Sequence, residues 1–186
     1  MSIELPSLQE ALKKAEAKLC TSLGGSCKIV VYHKMRRDLL RIVEGIEDQR
    51  FRSELRYSEI ELTNRSKKSG FTCFIVYLEK KPVAFVFGFD DPEEGVYFSD
   101  SAATLLERKG VGSILTAIET LYCYGSGYRS EKMITEELDE LGRRLREYWE
   151  RFGFRITEIH PETGVEMRLD LTPEKVKLLY DSYIGA

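Results

Sequence analysis

The segment that most constrains the fold runs from a strand-like stretch through a basic glycine turn into a helix. Residues 96–98 (Val-Tyr-Phe) are β-branched and aromatic, as strand residues are. The turn at 107–112 (Glu-Arg-Lys-Gly-Val-Gly) follows, and residues 111–122 then show the apolar spacing of a helix. Because the first amides of a helix lack intrahelical partners and the helix dipole favours an anion, this arrangement predicts a phosphate-binding turn.

The composition is that of a globular protein with a sizeable core. Of the 186 residues 42% are hydrophobic and 32% are charged, so we expect one domain that needs no disulfide or metal to fold. The formal net charge is −3 and acids are interleaved with the basic clusters, which argues against a nucleic-acid partner. No secretory leader and no run of about 18 apolar residues stands in the sequence, so we expect a cytoplasmic protein with no membrane partner.

Cysteine and histidine usage does not indicate a metal site. The four cysteines, at positions 20, 27, 73 and 123, lack the spacing of metal ligands. Cys20 and Cys27 are near enough in sequence to close a short loop, but a reducing compartment favours free thiols. His33 and His160 show no catalytic spacing with a serine, cysteine or aspartate, so we expect surface or hydrogen-bonded histidines.

Apolar periodicity and turn residues predict the other elements. Ser7 and Glu10 have the spacing of a helix-capping box, and residues 64–70 are a polar, basic loop. The predicted helices are 7–19, 35–48, 54–62, 110–124, 139–152 and 173–183, and the predicted strands are 28–33, 71–79, 82–89, 95–103, 154–159 and 165–171. This order indicates an α/β protein with a mixed sheet that is largely antiparallel in its first half.

Two motifs, in this order of elements, resemble those of the GCN5-related N-acetyltransferase (GNAT) superfamily. Residues 107–112 match the family's pyrophosphate loop, Gln/Arg-x-x-Gly-x-Gly/Ala, and residues 149–154 match its aromatic-x-x-x-Gly-Phe helix end. The resemblance covers about residues 28–171. It implies a mixed, mostly antiparallel central sheet flanked by helices. The predicted helices 7–19 and 173–183 lie outside that core, so we expect them to be peripheral elements for packing or for a homodimer.

The resemblance also implies an activity, the transfer of an acyl group from acetyl-CoA, or from a longer acyl-CoA, to an amine by direct attack. The family acts on small molecules and on proteins, so the sequence leaves the amine-bearing acceptor open. The acidic stretches 90–94 and 136–139 suit a cationic acceptor, and solvated turns explain them equally well.

The resemblance places CoA along the strand and the glycine turn. The backbone of residues 102–104 would pair with the pantetheine arm like an added strand, and the amides of residues 109–113 would cradle the pyrophosphate. The implied CoA-binding residues are Ala102, Ala103, Thr104, Arg108, Lys109, Gly110, Val111, Gly112 and Ser113.

Attack on a thioester requires a neutral amine, so the site needs a proton acceptor near the strand before the glycine turn. Asp100 is the nearest carboxylate, with Ser99 and Ser101 as neighbours that would hold water; the alternative is that Asp100 ends the strand and faces solvent. Trp149 occupies the position where many members keep a tyrosine as general acid. The adjacent Tyr148 either supplies that hydroxyl or packs in the core.

Two further departures from the family pattern affect the interpretation. Glu107 occupies the Gln/Arg position, so its carboxylate must point away from a pyrophosphate, and we expect Arg108 and Lys109 to supply the compensating charge. The family order places a strand at 132–137, where the apolar spacing instead continues a helical stripe; we expect a short strand. Glu107 and Trp149 support a second hypothesis, a GNAT-like module that binds acyl-CoA or another ligand without catalysis.

Overall fold

The computed structural model describes residues 3–139 and 142–185, in which a seven-stranded sheet has the order β1-β2-β3-β4-β5-β7-β6. The strands are β1 (Cys27–Tyr32), β2 (Thr72–Leu78), β3 (Lys81–Asp90), β4 (Val96–Thr104), β5 (Ser130–Thr135), β6 (Arg155–His160) and β7 (Gly164–Asp170). The helices are α1 (Leu8–Leu23), α2 (Arg37–Arg50), α3 (Glu59–Ser66), α4 (Val111–Gly125), α5 (Leu145–Glu150) and α6 (Pro173–Tyr180). Every neighbouring pair is antiparallel except β4 and β5, which are parallel, so the sheet is mixed and mostly antiparallel as predicted.

The helices cover the sheet with two separate apolar clusters. On one face α1, α4 and α6 pack together, and Ala11, Ala15 and Leu19 of α1 are fully buried there. On the other face α2 and α3 pack on β2 and β3, with Val43 and Leu62 fully buried. The two terminal helices therefore pack against α4 on the first of these faces, and a role for them in a homodimer stays a prediction.

Local capping decides where the N-terminal helices begin. The predicted box is confirmed at α1, where Ser7 Oγ accepts the Glu10 N–H at 3.3 Å and the Glu10 carboxylate accepts the Ser7 N–H at 2.8 Å. A second box, Ser58 with Glu61, begins α3. The predicted helix 54–62 was therefore placed too early: residues 53–55 form a short 3₁₀ turn, and α3 continues to Ser66 into the predicted loop 64–70.

The segment after α4 separates into a strand and a short helix. Residues 130–135 form β5, which pairs with β7 along its length, so the predicted strand is present and begins two residues earlier. The predicted helix 139–152 is wrong in its first part, because α5 begins at Leu145. Gly142 has a left-handed φ of +70° and Leu138 forms a bridge with Arg144, which a helix would not allow. Residues 140 and 141 of that prediction lie outside the described residues.

Three further features bear on the sequence-based expectations. The four cysteines are free thiols, and the Cys27 N–H donates to Cys20 Sγ at 3.1 Å. Within residues 3–139 and 142–185, no helix has the length and apolar character needed to cross a membrane. The predicted C-terminal helix is α-helical only as far as Tyr180, and residues 181–185 form a π-helical turn.

Candidate active site

A cleft opens where β4 and β5 part. The two strands pair at three positions, from Val96 opposite Ser130 to Phe98 opposite Lys132, and the ladder ends there. The space beyond has a volume of about 1470 Å³ and is lined on the β4 side by residues 98–104. The parallel pair therefore supplies a wide opening in the middle of the sheet, with the exposed edge of β4 as one wall.

A β-bulge in β4 lies at the mouth of this opening. Phe87 of β3 opposes Ser101 and the next residue, Gly88, opposes Ser99, so Asp100 is the extra residue. A bulge changes the direction of the side chains that follow it. As a result Ser99 contacts α4, whereas Asp100 and Ser101 both contact the side of the sheet that α2 and α3 cover.

The glycine turn leaves the first amides of α4 free. Gly110 is the N-cap with φ of +77° and no side-chain cap, and the Ile114 N–H donates to the Gly110 carbonyl at 3.0 Å. The N–H groups of residues 111–113 therefore have no acceptor inside the helix. A Cβ at Gly112 would lie 3.3 Å from Tyr148 Oη, so the first turn of α4 faces that hydroxyl closely. A fifteen-residue helix with an open N-terminus on a cleft fits a pyrophosphate.

The predicted CoA-binding residues are brought together by this geometry. Those that line the cleft are Ala102, Ala103, Thr104, Arg108, Gly110, Val111, Gly112 and Ser113. Lys109 lies in the same turn but outside the lining. Strand edge and helix start therefore form one continuous surface.

The Glu107 carboxylate is paired with two arginines. Its carboxylate forms an ion pair with Arg50 at the end of α2, and Arg143 lies 3.5 Å from its second oxygen. The hydrogen bond from Arg50 and the charges of Arg50 and Arg143 lower the pKa of Glu107, and Arg108 contributes less. The compensating charge thus comes mainly from Arg50 and Arg143, not from Arg108 and Lys109 as expected. Arg108 has no ion-pair partner among the described residues and lines the cleft.

Asp100 is buried and both of its carboxylate oxygens accept hydrogen bonds. Arg65 Nε donates to Oδ2 at 2.7 Å, and the Tyr57 hydroxyl donates to Oδ1 at 3.2 Å. The side chain is 6% exposed, which excludes the alternative that it faces solvent. Burial raises the pKa of Asp100, and the positive charge of Arg65 opposes that shift. Asp100 therefore lies in the cleft lining, but it is held in a network from α3 and the segment before it.

Glu47 of α2 is a carboxyl group beside the cleft that the sequence reasoning missed. It is 1% exposed, accepts the Tyr57 N–H at 3.1 Å and accepts the Ser101 hydroxyl at 3.3 Å. Burial raises the pKa of Glu47 to about 7. The sequence does contain a signal for its burial: Glu47 lies four residues after Val43 and seven after Leu40, which places it on the apolar face of α2. Ser101 connects this carboxyl group to the cleft.

Ser99 likewise contacts a buried glutamate. Its hydroxyl donates to Glu119 of α4 at 2.7 Å, and Glu131 of β5 lies in the same buried cluster and accepts from Thr120 at 3.0 Å. Burial raises the pKa of Glu119 to about 7 and that of Glu131 well above its usual value. The two serines that flank Asp100 therefore lead to two different buried carboxyl groups.

Tyr148 places its hydroxyl on the cleft wall. The ring packs against Phe152 at 5.1 Å between centroids, and the hydroxyl lies against Ser113 and Thr116 in the first turns of α4. Burial raises the pKa of Tyr148, so it remains a proton donor at neutral pH. Trp149 also lines the cleft and packs edge-on against Phe154. The tyrosine thus both packs against the core and faces the site.

Both histidines, and three tyrosines in and just after the last turns of α4, lie outside the lining. Tyr122, Tyr124 and Tyr128 pack against the core cluster to which α1, α4 and α6 contribute. His33 Nδ1 lies 3.3 Å from the Thr72 hydroxyl. His160 lies near Glu158 and Glu166 on the β6–β7 hairpin, with ligand atoms within 4.8 Å of one another, and carboxylates of this exposure commonly occur without a metal ion.

Comparison with known proteins identifies the fold. No family profile and no curated protein matches the sequence. Solved structures do match, and one is the aminoglycoside 6′-N-acetyltransferase from Enterococcus faecium, with 13% identity over 78% of this chain and 97% of that one at a TM-score of 0.63. A ribosomal-protein alanine N-acetyltransferase from Escherichia coli matches with 13% identity over 77% and 94% at 0.62. The PaiA N-acetyltransferase from Thermoplasma acidophilum, in complex with coenzyme A, matches with 11% identity over 77% and 99% at 0.57.

These likenesses define the class of structure. The chain has the GNAT fold, a mixed sheet flanked by helices, which confirms the fold implied by the two sequence motifs. Sequence identities of 11% to 13% support a shared fold. They do not identify the acceptor or the acyl group, which are argued below from the residues of this chain.

Proposed function

We propose that this chain is an N-acyltransferase that moves an acyl group from a CoA thioester to an amine. The observation that carries the proposal is that the parted edge of β4 and the open N-terminus of α4 meet in one cleft. That combination offers backbone hydrogen bonds for an extended amide-containing chain and an anion site at its end. The fold shared with acetyltransferases, one of them solved with coenzyme A, supports the same assignment.

The residues that would hold CoA divide into two groups. The backbone of residues 102–104 would hydrogen-bond the pantetheine arm, and the amides of residues 111–113 with the Arg108 side chain would hold the pyrophosphate. CoA supplies the activated thioester when bound. The protein would orient that thioester against the bulge in β4.

Transfer requires one proton to leave the amine and one to reach the sulfur. The amine nitrogen forms a bond to the thioester carbonyl carbon, the carbon–sulfur bond breaks, and the thiolate takes a proton. Because Asp100 is ion-paired with Arg65, whereas the hydrogen-bond donors to Glu47 are neutral and burial raises its pKa to about 7, the better acceptor is Glu47, reached through the Ser101 hydroxyl. The Tyr148 hydroxyl would donate to the thiolate, and a backbone N–H near Ala102 would stabilise the oxyanion.

Turnover with an amine panel tests this function. Purified protein is mixed with acetyl-CoA and amino acids, peptides, polyamines or aminoglycosides, and free thiol and acetylated product are measured together. We expect thiol release above the buffer rate with at least one amine, with an equal amount of acetylated product. A Tyr148→Phe variant should keep CoA binding and lose about tenfold or more in turnover.

The alternative is a module that binds acyl-CoA without transfer. The observations that favour it are the occupied oxygens of Asp100 and the tryptophan at position 149. Saturable CoA binding with no thiol release from any amine would establish this alternative and contradict the transferase.

A further inference from the structure

The charges that line the cleft are unequally paired. Every carboxylate among the described lining residues forms an ion pair; these are Asp100, Glu107, Glu136, Asp139 and Glu147. Three of the lining cations have no carboxylate partner among the described residues, namely Lys68, Arg108 and Arg151. Among its described lining residues the cleft therefore presents unpaired positive charge and no unpaired negative charge, and Glu47, which is not one of them, is connected to it through the Ser101 hydroxyl.

Lys68 lies at the end of the cleft remote from the glycine turn. Its Nζ is 3.9 Å from the centroid of the Phe89 ring, and Phe89 opposes Phe98 across the β3–β4 ladder. Phe98 is the last residue of β4 that pairs with β5, so it marks the point where the cleft begins. The charge of Lys68 also reaches Asp100, whose pKa it lowers. Lys68 thus lies where an acceptor, and not the CoA phosphates, would be bound.

The wall beside Lys68 is aromatic. Phe89 and Phe98 have ring centroids 5.7 Å apart, and both line the cleft. Tyr57 lines it too, with the Arg65 guanidinium 3.6 Å from the centroid of its ring. An apolar or aromatic group would therefore be buried beside a cation at this end.

The acidic stretches that suited a cationic acceptor offer the cleft no unpaired carboxylate among the described residues. Of their acidic residues only Glu136 and Asp139 line the cleft, and both form the ion pairs named above. In the stretch 90–94, Asp91 pairs with Lys132 at 2.5 Å and Glu93 pairs with Arg168 at 2.7 Å. A polyamine at this end would therefore meet Lys68 and Arg65 without an unpaired carboxylate among the described lining residues.

We propose that the acceptor is an amine that also carries a carboxylate and an apolar or aromatic side group, with the carboxylate bound by Lys68 and the side group packed on Phe89 and Phe98. This inference rests on the transferase function proposed above, since it names the acceptor of the same cleft. An apolar α-amino acid is the simplest molecule of this class. Lysine provides a point charge for the carboxylate, and rings on the cleft wall provide the apolar contact.

The test compares matched amines that differ only in the carboxylate. Phenylalanine, tryptophan and leucine are titrated by calorimetry into the CoA-saturated protein, beside 2-phenylethylamine, tryptamine and isoamylamine, with spermidine as the polycation. We expect each amino acid to bind about tenfold or more tightly than its decarboxylated partner, as a charge-assisted contact implies. Lys68→Met should remove that difference and leave CoA affinity unchanged. Lys67→Met, one residue away and outside the lining, should change neither.

Each outcome decides one of the two proposals. Equal binding of the matched amines, tighter binding of spermidine, no binding of any amine, or an unaltered preference in Lys68→Met would overturn the acceptor inference. The same titrations without CoA test the acceptor inference separately, so it can be decided even if CoA does not bind. Preferred binding of amino acids that needs Lys68, without formation of an N-acetylated product, would uphold the acceptor class and contradict the transferase.

Discussion

Asp100 and Glu47 are neighbours at the bulge in β4, and their surroundings suit them to different tasks. Asp100 is fixed by a cation and a phenol, so protonating it would cost the ion pair with Arg65. Glu47 accepts only neutral donors, the Tyr57 amide and the Ser101 hydroxyl, and burial raises its pKa to about 7. A carboxyl group with such a pKa can take up a proton and release it again near neutral pH.

The Glu47→Gln substitution should remove the pH dependence of turnover. In the wild type we expect kcat to rise as the pH passes through about 7, because Glu47 must be ionised to accept the amine's proton. Glutamine cannot accept it, so the rate should fall by about tenfold or more above that pH and the rising limb should disappear, with KM for acetyl-CoA unchanged. Glu44→Gln, on the same helix and outside the lining, is the control. A limb that persists with the same midpoint in Glu47→Gln would assign the proton to another group.

The Asp100→Asn substitution should lower stability as well as activity. Removing one partner of a buried ion pair leaves Arg65 without its carboxylate, which costs about 3 kcal/mol in comparable pairs. Urea unfolding would measure this, with Asp48→Asn as control because Asp48 pairs with Arg56 on the surface. An Asp100→Asn protein of unchanged stability would show that the network with Arg65 and Tyr57 contributes little.

At the scale of elements, the contact between α4 and β5 contains two buried carboxyl groups. Glu119 and Glu131 are fully buried, and each has one carboxylate oxygen with no partner within the described residues. Burial raises the pKa of both, and the charge of Glu119 raises that of Glu131 further. The folded state therefore holds more protons here than the unfolded state does between pH 4.5 and about 7.

Stability should consequently fall as the pH rises through that window. A group whose folded pKa is raised stabilises the fold below its unfolded pKa, and this contribution is lost as the pH rises through the folded value. We expect the free energy of unfolding in urea to be lower near about pH 8 than near about pH 5, and Glu119→Gln to reduce the difference by about 2 kcal/mol. Glu162→Gln, in the exposed turn before β7, is the control. A Glu119→Gln variant with the full pH dependence would contradict a raised pKa of Glu119.

Elements with local signals were well predicted, and those fixed by distant contacts were not. Ser7 and Glu10 are three residues apart, so the sequence alone defines the start of α1. The helix predicted at 139–152 followed an apolar stripe that continues into β5, where pairing with β7 imposes the extended conformation. The boundary between β5 and α5 is therefore set by the pairing of β5 with β7. Apolar spacing along the chain carries no information about that pairing.

At the scale of the whole molecule, the same distinction applies to the site. The glycine turn and the order of the strands could be read from the sequence, because each depends on residues close together along the chain. The hydrogen bonds that surround Asp100 come from Tyr57 and Arg65, which are 43 and 35 residues away. Arg50 reaches Glu107 across 57 residues. Such contacts depend on how α2 and α3 pack across the sheet, so the sequence predicted the glycine turn better than the hydrogen bonds of the carboxyl groups beside the cleft.

The proposed function depends on the binding of CoA in the cleft that β4 and α4 form together. Calorimetric titration of CoA into the wild type, Gly112→Leu and Gly125→Leu tests that claim most directly, since Gly112 lies in the first turn of α4 and Gly125 is its last residue. We expect saturable binding to the wild type and to Gly125→Leu, and about tenfold or more weaker binding to Gly112→Leu, because a bulky side chain in the first turn would keep the phosphate from the backbone amides. Absence of CoA binding to the wild type, or equal affinity in all three proteins, would contradict it.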